Sequence, residues 1–546
     1  MRIPTEQAAP HRPAANRPKP ADVLRWAALA AAAAGALALY YAASVHSQPA
    51  SSDSATIMLE GQSIANGHLT LHGWSLSFDS FWTIDALPYA LAIRIAGLRQ
   101  VIVDLVPALI ALGLLVTGVL MARDGRKGLA GILGIGTIVA LIGLPGHAMS
   151  IYLLKTGLHD GTALLCLLAF AALRPLRFDF RWGAAVVALA AGILGDIQTI
   201  SLGVIPVMLA GAVAAARHRH WPSGVPAIAA GPAALVLAGA VRLLAQLAGT
   251  FSVNSPQPRA SWHQVPLNIG HIVTLGAQIL GVGSSAYGAA GVPTALQATH
   301  VVGLAVVVAA IAVATWSMVS GAVRGRLADG AIEPGFLDDV LVLAFFGDCA
   351  TFVVLAATST PAYGRYLMAG VIFGSILGGR FIARLATRLE ASRPPNAPRY
   401  RAAASAAGIA VVATFGAGVG YNLAQPAPGN PTSALGSFLA AHGLHLGVGD
   451  YWSASITTVV TDGTVVIRPV IVQPSNGDLV RYDRNSTASW YSGAEFQFLV
   501  YNAALPWGGV GATSASHTFG KPAHVYRVGT YYVLTFPHSI TISPLG

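Results

Sequence analysis

The residues that could do chemistry gather in one polar stretch between two long apolar runs, Ser51 to Tyr89, SSDSATIMLEGQSIANGHLTLHGWSLSFDSFWTIDALPY. It holds the carboxylates Asp53, Glu60, Asp79 and Asp85, the imidazoles His68 and His72, and the rings of Trp74 and Trp82. Carboxylates and imidazoles can move protons or hold a metal, and tryptophan offers an apolar face beside a polar edge. In a chain poor in charge, this group is expected to form an active-site loop at the mouth of an apolar bundle. Asp53 stands just before ATIMLEGQSIANG, which reads as a helix, so it is an N-cap, a catalytic carboxylate, or both. Asp79 and Asp85 read more simply as carboxylates tolerated in an outer loop.

Other candidates stand at the ends of apolar runs. His159 and Asp160 open one in HDGT, as an acid/base pair, metal ligands or a polar helix cap. Asp196 lies between two short apolar runs, where an ionisable group is costly and usually faces a cavity. Arg365 and Tyr366 open a later run. Arg365 either snorkels to headgroups or clamps a phosphate with its planar fork of donors. Asp348, within FFGDCATF, must face protein or a cavity.

The elements that position these residues follow from composition. The 546-residue chain is 54% hydrophobic and 10% charged, with a mean hydropathy of +0.61. Soluble chains carry roughly a quarter charged residues, so this is a polytopic membrane protein. The net charge of +10 comes mostly from short basic loops rather than a nucleic-acid module, and no nucleic-acid partner is expected. Cys166 and Cys349 both lie in apolar runs and offer no disulfide framework or zinc spacing.

Residues 1–22, rich in Pro, Ala and Arg, are expected to be a disordered cytoplasmic tail. A transmembrane domain follows over 23–422, with an exoplasmic first loop at 44–100. Spans are expected near 23–43, 101–121, 129–144, 161–173, 182–194, 197–216, 225–247, 300–320, 340–357, 366–383 and 403–421, about eleven in all. Even-numbered spans exit into basic loops such as ARDGRKG, RPLRFDFR, RHRH and VRGR, so the N-terminus is expected inside. An odd count puts the C-terminus outside. The segments 81–97 and 265–282 are expected to lie along the outer surface of the membrane.

After the PAPGNP linker the composition changes, and 423–546 is expected to be an exoplasmic, mostly β domain, a small sandwich. SASITTVV and TVVIRPVIV around Asp462-Gly463 read as a hairpin, with Tyr451 and Trp452 starting its first strand. WYSGAEFQFLVYNA and HVYRVGTYYVLTF read as later strands. No Walker motif, GxSxG, HExxH or helix-opening GxGxxG occurs, so ordinary cytoplasmic nucleotide chemistry has no foothold.

This layout resembles the GT-C superfamily of glycosyltransferases. The resemblance covers most of the chain. The segments 53–74 (DSATIMLEGQSIANGHLTLHGW), 77–89 (SFDSFWTIDALPY), HDGT, GDIQTISLGVIP (195–206) and GRYLMAG (364–370) also resemble uncharacterised actinobacterial multi-pass proteins of that type. The resemblance implies a bacterial plasma-membrane enzyme whose partners are a polyprenyl-phosphate sugar donor, membrane lipids and a cell-envelope glycan, lipid or protein acceptor. Asp53 would be the general base, with Glu60, Asp160 or Asp196 supplying a second carboxylate. Arg365 and Tyr366 would bind the donor phosphate, and His68, His72, Trp74 and His159 would line the substrate. Ser54 follows Asp53, so the adjacent acidic pair of some GT-C enzymes is missing, and a divalent cofactor, Mg or Mn, stays an open alternative. The β domain would position the acceptor.

Two other classes compete. A transporter or flippase of a lipid-linked precursor would use Asp348 and Asp196, but no inverted repeat is visible and the charges gather at one face rather than the midplane. A non-catalytic, glycan-binding scaffold would leave the first-loop acids without a task.

Overall fold

The computed structural model describes residues 20–157, 159–253, 259–283, 293–324, 335–355, 361–391 and 397–543. The tail expected at 1–22 falls outside them up to residue 19. Helix α1 (Pro20–Ser47) is followed by α2 (Ser52–Ala65), a short strand β1 (Trp74–Leu76), a π-helical turn Trp82–Ala86 and α3 (Leu87–Ala96). The bundle continues through α4 (Ile102–Arg123), α5 (Gly128–Ile138), α6 (His147–Leu153), α7 (Asp160–Leu173), α8 (Phe180–Gly195), α9 (Ile205–His218) and α10 (Val225–Leu247). Strand β2 (Ser252–Val253) precedes α11 (Val265–Ile279), α12 (Thr294–Arg324), α13 (Phe336–Val353), α14 (Met368–Ala391) and α15 (Ala397–Ala424).

Every expected span coincides with one of these helices. Among the described residues, seven helices are long and apolar enough to cross a membrane, or eight if the pair bent by 80° at α5 and α6 is one span. The expected count of about eleven is therefore not reached by that measure. Helices α7 and α8 have 14 and 16 residues, about 21–24 Å of rise against a roughly 30 Å core. Helix α13 carries Asp338, Asp339 and Asp348. Helix α14 is the hub, with every residue from Met368 to Arg380 buried. The chain is thus a polytopic helical membrane domain followed by a C-terminal, largely β domain.

The first loop folds down onto the bundle. Helix α2 is capped by Ser51, not by Asp53, which sits in the first turn. Gly61 lets α2 approach α3 closely, since a Cβ there would lie 2.6 Å from the Cβ of Tyr89. Lys155 is buried and tied to Asp104 Oδ1 at 2.7 Å and to the Ser44 carbonyl at 2.9 Å. That pair stitches α1 and α4 to the chain entering α7.

The C-terminal domain contains α16 (Thr432–Ala441), β3 (Leu446–Gly449), α17 (Tyr451–Val460), β4 (Val466–Val472), β5 (Leu479–Arg481), β6 (Ser486–Thr487), β7 (Phe496–Asn502), α18 (Ala512–Phe519), β8 (His524–Val528) and β9 (Tyr531–Ile540). Its sheet runs β5-β4-β3-β7-β9-β8, with β3 parallel to both β4 and β7. Leu435, Leu439 and Ala454 of α16 and α17 cover one face, and Ala515 of α18 helps cover the other. The expected sandwich is thus one mixed sheet between helices.

The expected hairpin at SASITTVV is helix α17. The Asp450 carboxylate caps it, accepting from the Ser453 amide at 3.1 Å and the Ser453 hydroxyl at 2.7 Å. Ile456 and Val459 are buried in the core shared with the membrane domain. β-Branched residues prefer strands only weakly, and this two-sided burial outweighs the preference. Asp462 and Gly463 still turn the chain with positive φ, 52° and 77°. The strands expected in the two later segments are β7 and the β8–β9 pair.

Candidate functional site

The first loop, the start of α7 and the end of α8 meet at one buried centre. Asp79, His159 and Asp196 each offer a ligand atom within 4.8 Å of the others, and all three are buried. Helix α8 ends at Asp196, whose Oδ1 accepts from the Gln198 amide at 2.8 Å. Its Oδ2 accepts from Thr162 Oγ1 at 2.6 Å and pairs with His159 Nδ1 at 2.8 Å. The loop bearing Asp79 is pinned to the same helix end. The Phe81 amide donates to the Gly195 carbonyl at 2.8 Å and Ser80 Oγ to the Leu194 carbonyl at 3.1 Å.

Phe81 and His159 adopt left-handed φ values of 51° and 69°, strained for non-glycine residues. Strain of this kind is held in place by the surrounding structure.

The electrostatics are those of carboxyls crowded away from water. Burial, followed by the charge of Asp196, pushes Asp79 up to about 7, against the pull of His159 and Arg365. Burial also raises Asp85 to about 7, and burial plus Asp85 holds Glu60 well above the usual carboxylate range. For His159 burial opposes the charge, but the charge and hydrogen bond of Asp196 win and its pKa is raised. Asp196 is held low despite burial, chiefly by His159. Several oxygens here lack a hydrogen-bond partner, namely Asp79 Oδ1, Glu60 Oε2 and both Asp160 oxygens. Unpaired buried carboxyls cost stability, so the site is not built for stability alone.

Arg365 and Tyr366 border this centre. The Tyr366 ring lies 4.9 Å from that of His159, and Arg365 Nη2 donates to the Tyr366 hydroxyl at 3.2 Å. Arg365 Nε is buried without a partner. The Arg365 charge is within electrostatic range of Asp53 and Asp79. Asp53 Oδ1 accepts from Tyr451 of the C-terminal domain at 2.5 Å. Asp348 is buried below, with Oδ2 accepting from the Gly370 amide at 2.7 Å.

The fold is shared with ArnT. A crystal structure of ArnT from Cupriavidus metallidurans in the apo state matches over 94% of this chain and 98% of that chain, at 12% identity and a TM-score of 0.55. The archaeal oligosaccharyltransferase AglB from Archaeoglobus fulgidus, in complex with an inhibitory peptide and a dolichol-phosphate, covers 93% of this chain and 76% of that one. Its identity is 11% and its TM-score 0.46. No family model and no curated protein matches the chain. At such identity the likeness to ArnT concerns the fold, and the site must be argued from its residues.

Of the sequence candidates, the structure brings His159, Asp196, Arg365 and Tyr366 together, with Asp160 beside them and Asp53 within range of Arg365. Glu60 is buried on α2 next to Asp85. His68, His72 and Trp74 stand apart from the carboxylate centre. His68 is exposed, His72 bonds the Gly249 carbonyl at 2.8 Å, and Trp74 packs edge-on against Trp490 at 4.9 Å. Asp79 and Asp85, which read from the sequence as carboxylates tolerated in an outer loop, are buried, and Tyr451, which reads as a strand start, reaches Asp53. A carboxylate between two phenylalanines, as in SFDSFW, was the available signal for burial of Asp79. For Tyr451 there was none, because its partner is 398 residues away.

Proposed function

We propose that this protein is a membrane glycosyltransferase that moves a sugar from a polyprenyl-phosphate donor to a hydroxyl of a cell-envelope glycan, lipid or protein acceptor. The observation that carries this reading is the unpartnered, buried Nε of Arg365, set beside the Asp79–His159–Asp196 centre and within charge range of Asp53. A cation with a free donor facing carboxylates, at one end of an apolar bundle, suits an anionic leaving group arriving from lipid.

Asp53 takes the proton of the acceptor hydroxyl while that oxygen bonds to the sugar's anomeric carbon. The bond from the anomeric carbon to the phosphate oxygen breaks, and the polyprenyl phosphate leaves with the electron pair, held by Arg365 and Tyr366. Tyr451 orients Asp53 through Oδ1, so Oδ2 remains for the proton. Charge development at phosphate is where a fixed guanidinium contributes most.

The same centre fits a divalent cation. Asp79, Asp196 and His159 are a donor set that manganese or magnesium accepts, and the orphaned Asp79 Oδ1 is an oxygen in want of a partner. A bound ion would neutralise phosphate charge there. The reading includes a bacterial plasma membrane, a cytoplasmic N-terminus and an exoplasmic C-terminal domain.

The test is transfer from a panel of radiolabelled polyprenyl-phosphate sugars to an envelope extract, wild type beside Asp53→Ala. Label transferred by the wild type and lost in a folded variant supports enzyme and base together. Transfer that survives removes Asp53 from the mechanism. Failure of the wild type to bind any donor overturns the reading.

A further inference from the structure

The outer domain places an aromatic surface directly against Asp53. Tyr451 opens α17 at the carboxyl end of β3, the strand flanked by parallel neighbours on both sides. In open sheets this switch point is where ligands bind, outside the strand ends. Tyr451 is 3% exposed, and its hydroxyl both donates to Asp53 Oδ1 and accepts from Asn485 Nδ2 at 3.3 Å. Asn485 takes a left-handed φ of 49°, and its Oδ1 accepts from the Ser77 amide of the first loop at 3.1 Å. A polar relay therefore joins the first loop, Asp53 and the outer domain.

Three further rings surround Tyr451. Trp452 lies 5.1 Å away, Tyr482 5.2 Å and Trp507 5.5 Å, between ring centroids. Tyr482 and Trp507 meet edge to face at 5.1 Å. Unlike Tyr451, these rings reach solvent: Trp452 is 42% exposed, and Tyr482 and Trp507 are half-buried. Their supports are fixed. The Gly508 carbonyl after Trp507 accepts from the Val472 amide at 2.9 Å, and the Tyr482 amide donates to the Pro469 carbonyl at 3.1 Å. Gly508 and Gly509 have φ of 62° and 71°, which glycine adopts without strain.

We propose that Trp507, Tyr482 and Trp452 form a saccharide-binding subsite whose occupant presents a hydroxyl to Asp53. The inference rests on the function proposed above and names the surface that takes the acceptor. A sugar ring has an apolar CH face that lies on aromatic rings and hydroxyls that need fixed donors and acceptors at the edge. Both are present, the rings on one side and Asn485 with Asp53 on the other. Rings that merely anchor the domain in the lipid interface would have no use for the Asn485–Tyr451–Asp53 relay.

The experiment uses the full-length protein in detergent, titrated with soluble neutral oligosaccharides of pentoses and hexoses and read by tryptophan fluorescence and a glycan array. The expected result is binding of at least one oligosaccharide series, weakened about tenfold or more in Trp507→Ala. Trp507→Phe should restore most of the affinity. Absence of binding to the wild type, or binding unchanged in both Trp507→Ala and Tyr482→Ala, overturns the subsite. Polyprenyl phosphate binding, measured on the same variants, should be unchanged, and its loss in Trp507→Ala would overturn the assignment to the saccharide. Saccharide binding without any donor-dependent transfer would sink the enzyme reading and leave the subsite standing.

Discussion

The membrane bundle buries carboxyls at both ends, and most of those with unpartnered oxygens gather at one of them. At the end bearing the basic loops, Asp339 receives both forks of Arg217 at 2.8 and 2.9 Å. Asp338 receives Arg380 at 2.8 Å and also Arg384, while Arg380 reaches the Met121 carbonyl at 2.7 Å and Asp124 at 3.3 Å. These carboxylates are paired with guanidinium forks. At the other end Glu60, Asp79 and Asp160 keep oxygens with no partner. Paired charges lock helices α4, α9, α13 and α14 together. The unpartnered carboxyls are kept at a stability cost, which the proposed ligand would offset.

The contrast can be broken by mutation. The largest expected effect is at the unpaired end. Asp53→Asn should lower kcat by about 10²–10⁴-fold, the usual worth of a general base, with the melting temperature unchanged. Radiolabel transfer beside thermal unfolding in detergent checks both. Asp339→Ala should do the reverse. Leaving Arg217 buried without its bidentate partner should cost about 3–5 kcal/mol of stability, while the folded fraction keeps its kcat. If both variants lose activity and stability alike, the two ends do not differ in kind.

A divalent ion should stabilise one end only. Manganese at a hundred times its dissociation constant should add about 2.7 kcal/mol to the wild type and nothing to Asp79→Asn. Equal melting shifts in both proteins would remove Asp79 as a ligand. Arg365→Lys should weaken donor use by about tenfold to a hundredfold, because a point charge replaces a fork. Unchanged KM for the donor would exclude Arg365 from phosphate binding.

The smallest effect is a pH slope. Burial raises Asp85 to about 7, so the folded protein keeps a proton there that the unfolded chain has released. That contribution is present at acid pH and lost as pH rises through about 7. The wild type should therefore lose stability between about pH 4 and 7 by an amount on the order of 1 kcal/mol or more, and Asp85→Asn should make the slope shallower, Asp79 supplying the remainder. Parallel pH profiles of melting would show that Asp85 titrates normally.

These contrasts also show what was legible beforehand. Spans were readable because hydrophobicity over about twenty residues is a local property, and the basic loops were readable as the opposite of the carboxylate loop. Asp196 was readable from its place between two short runs, since burial there follows from position. Asp79 was not. Its role depends on the loop bending back to the end of α8, held by Ser80 and Phe81. Helix α17 was misread because SASITTVV suits either period, and only packing against both α2 and the sheet decides between them.

By itself, then, the sequence determined the solvent each segment prefers. It set apolar runs for lipid, basic loops on one side, one polar aromatic loop on the other, and a change of composition near Gln425. Tertiary structure alone decided which carboxylates face each other. Asp79, His159 and Asp196 converge from three separate segments, and Tyr451 reaches Asp53 across 398 residues. Hydropathy acts residue by residue and survives in the linear pattern. Pairing, desolvation and strain arise only when distant segments are packed together.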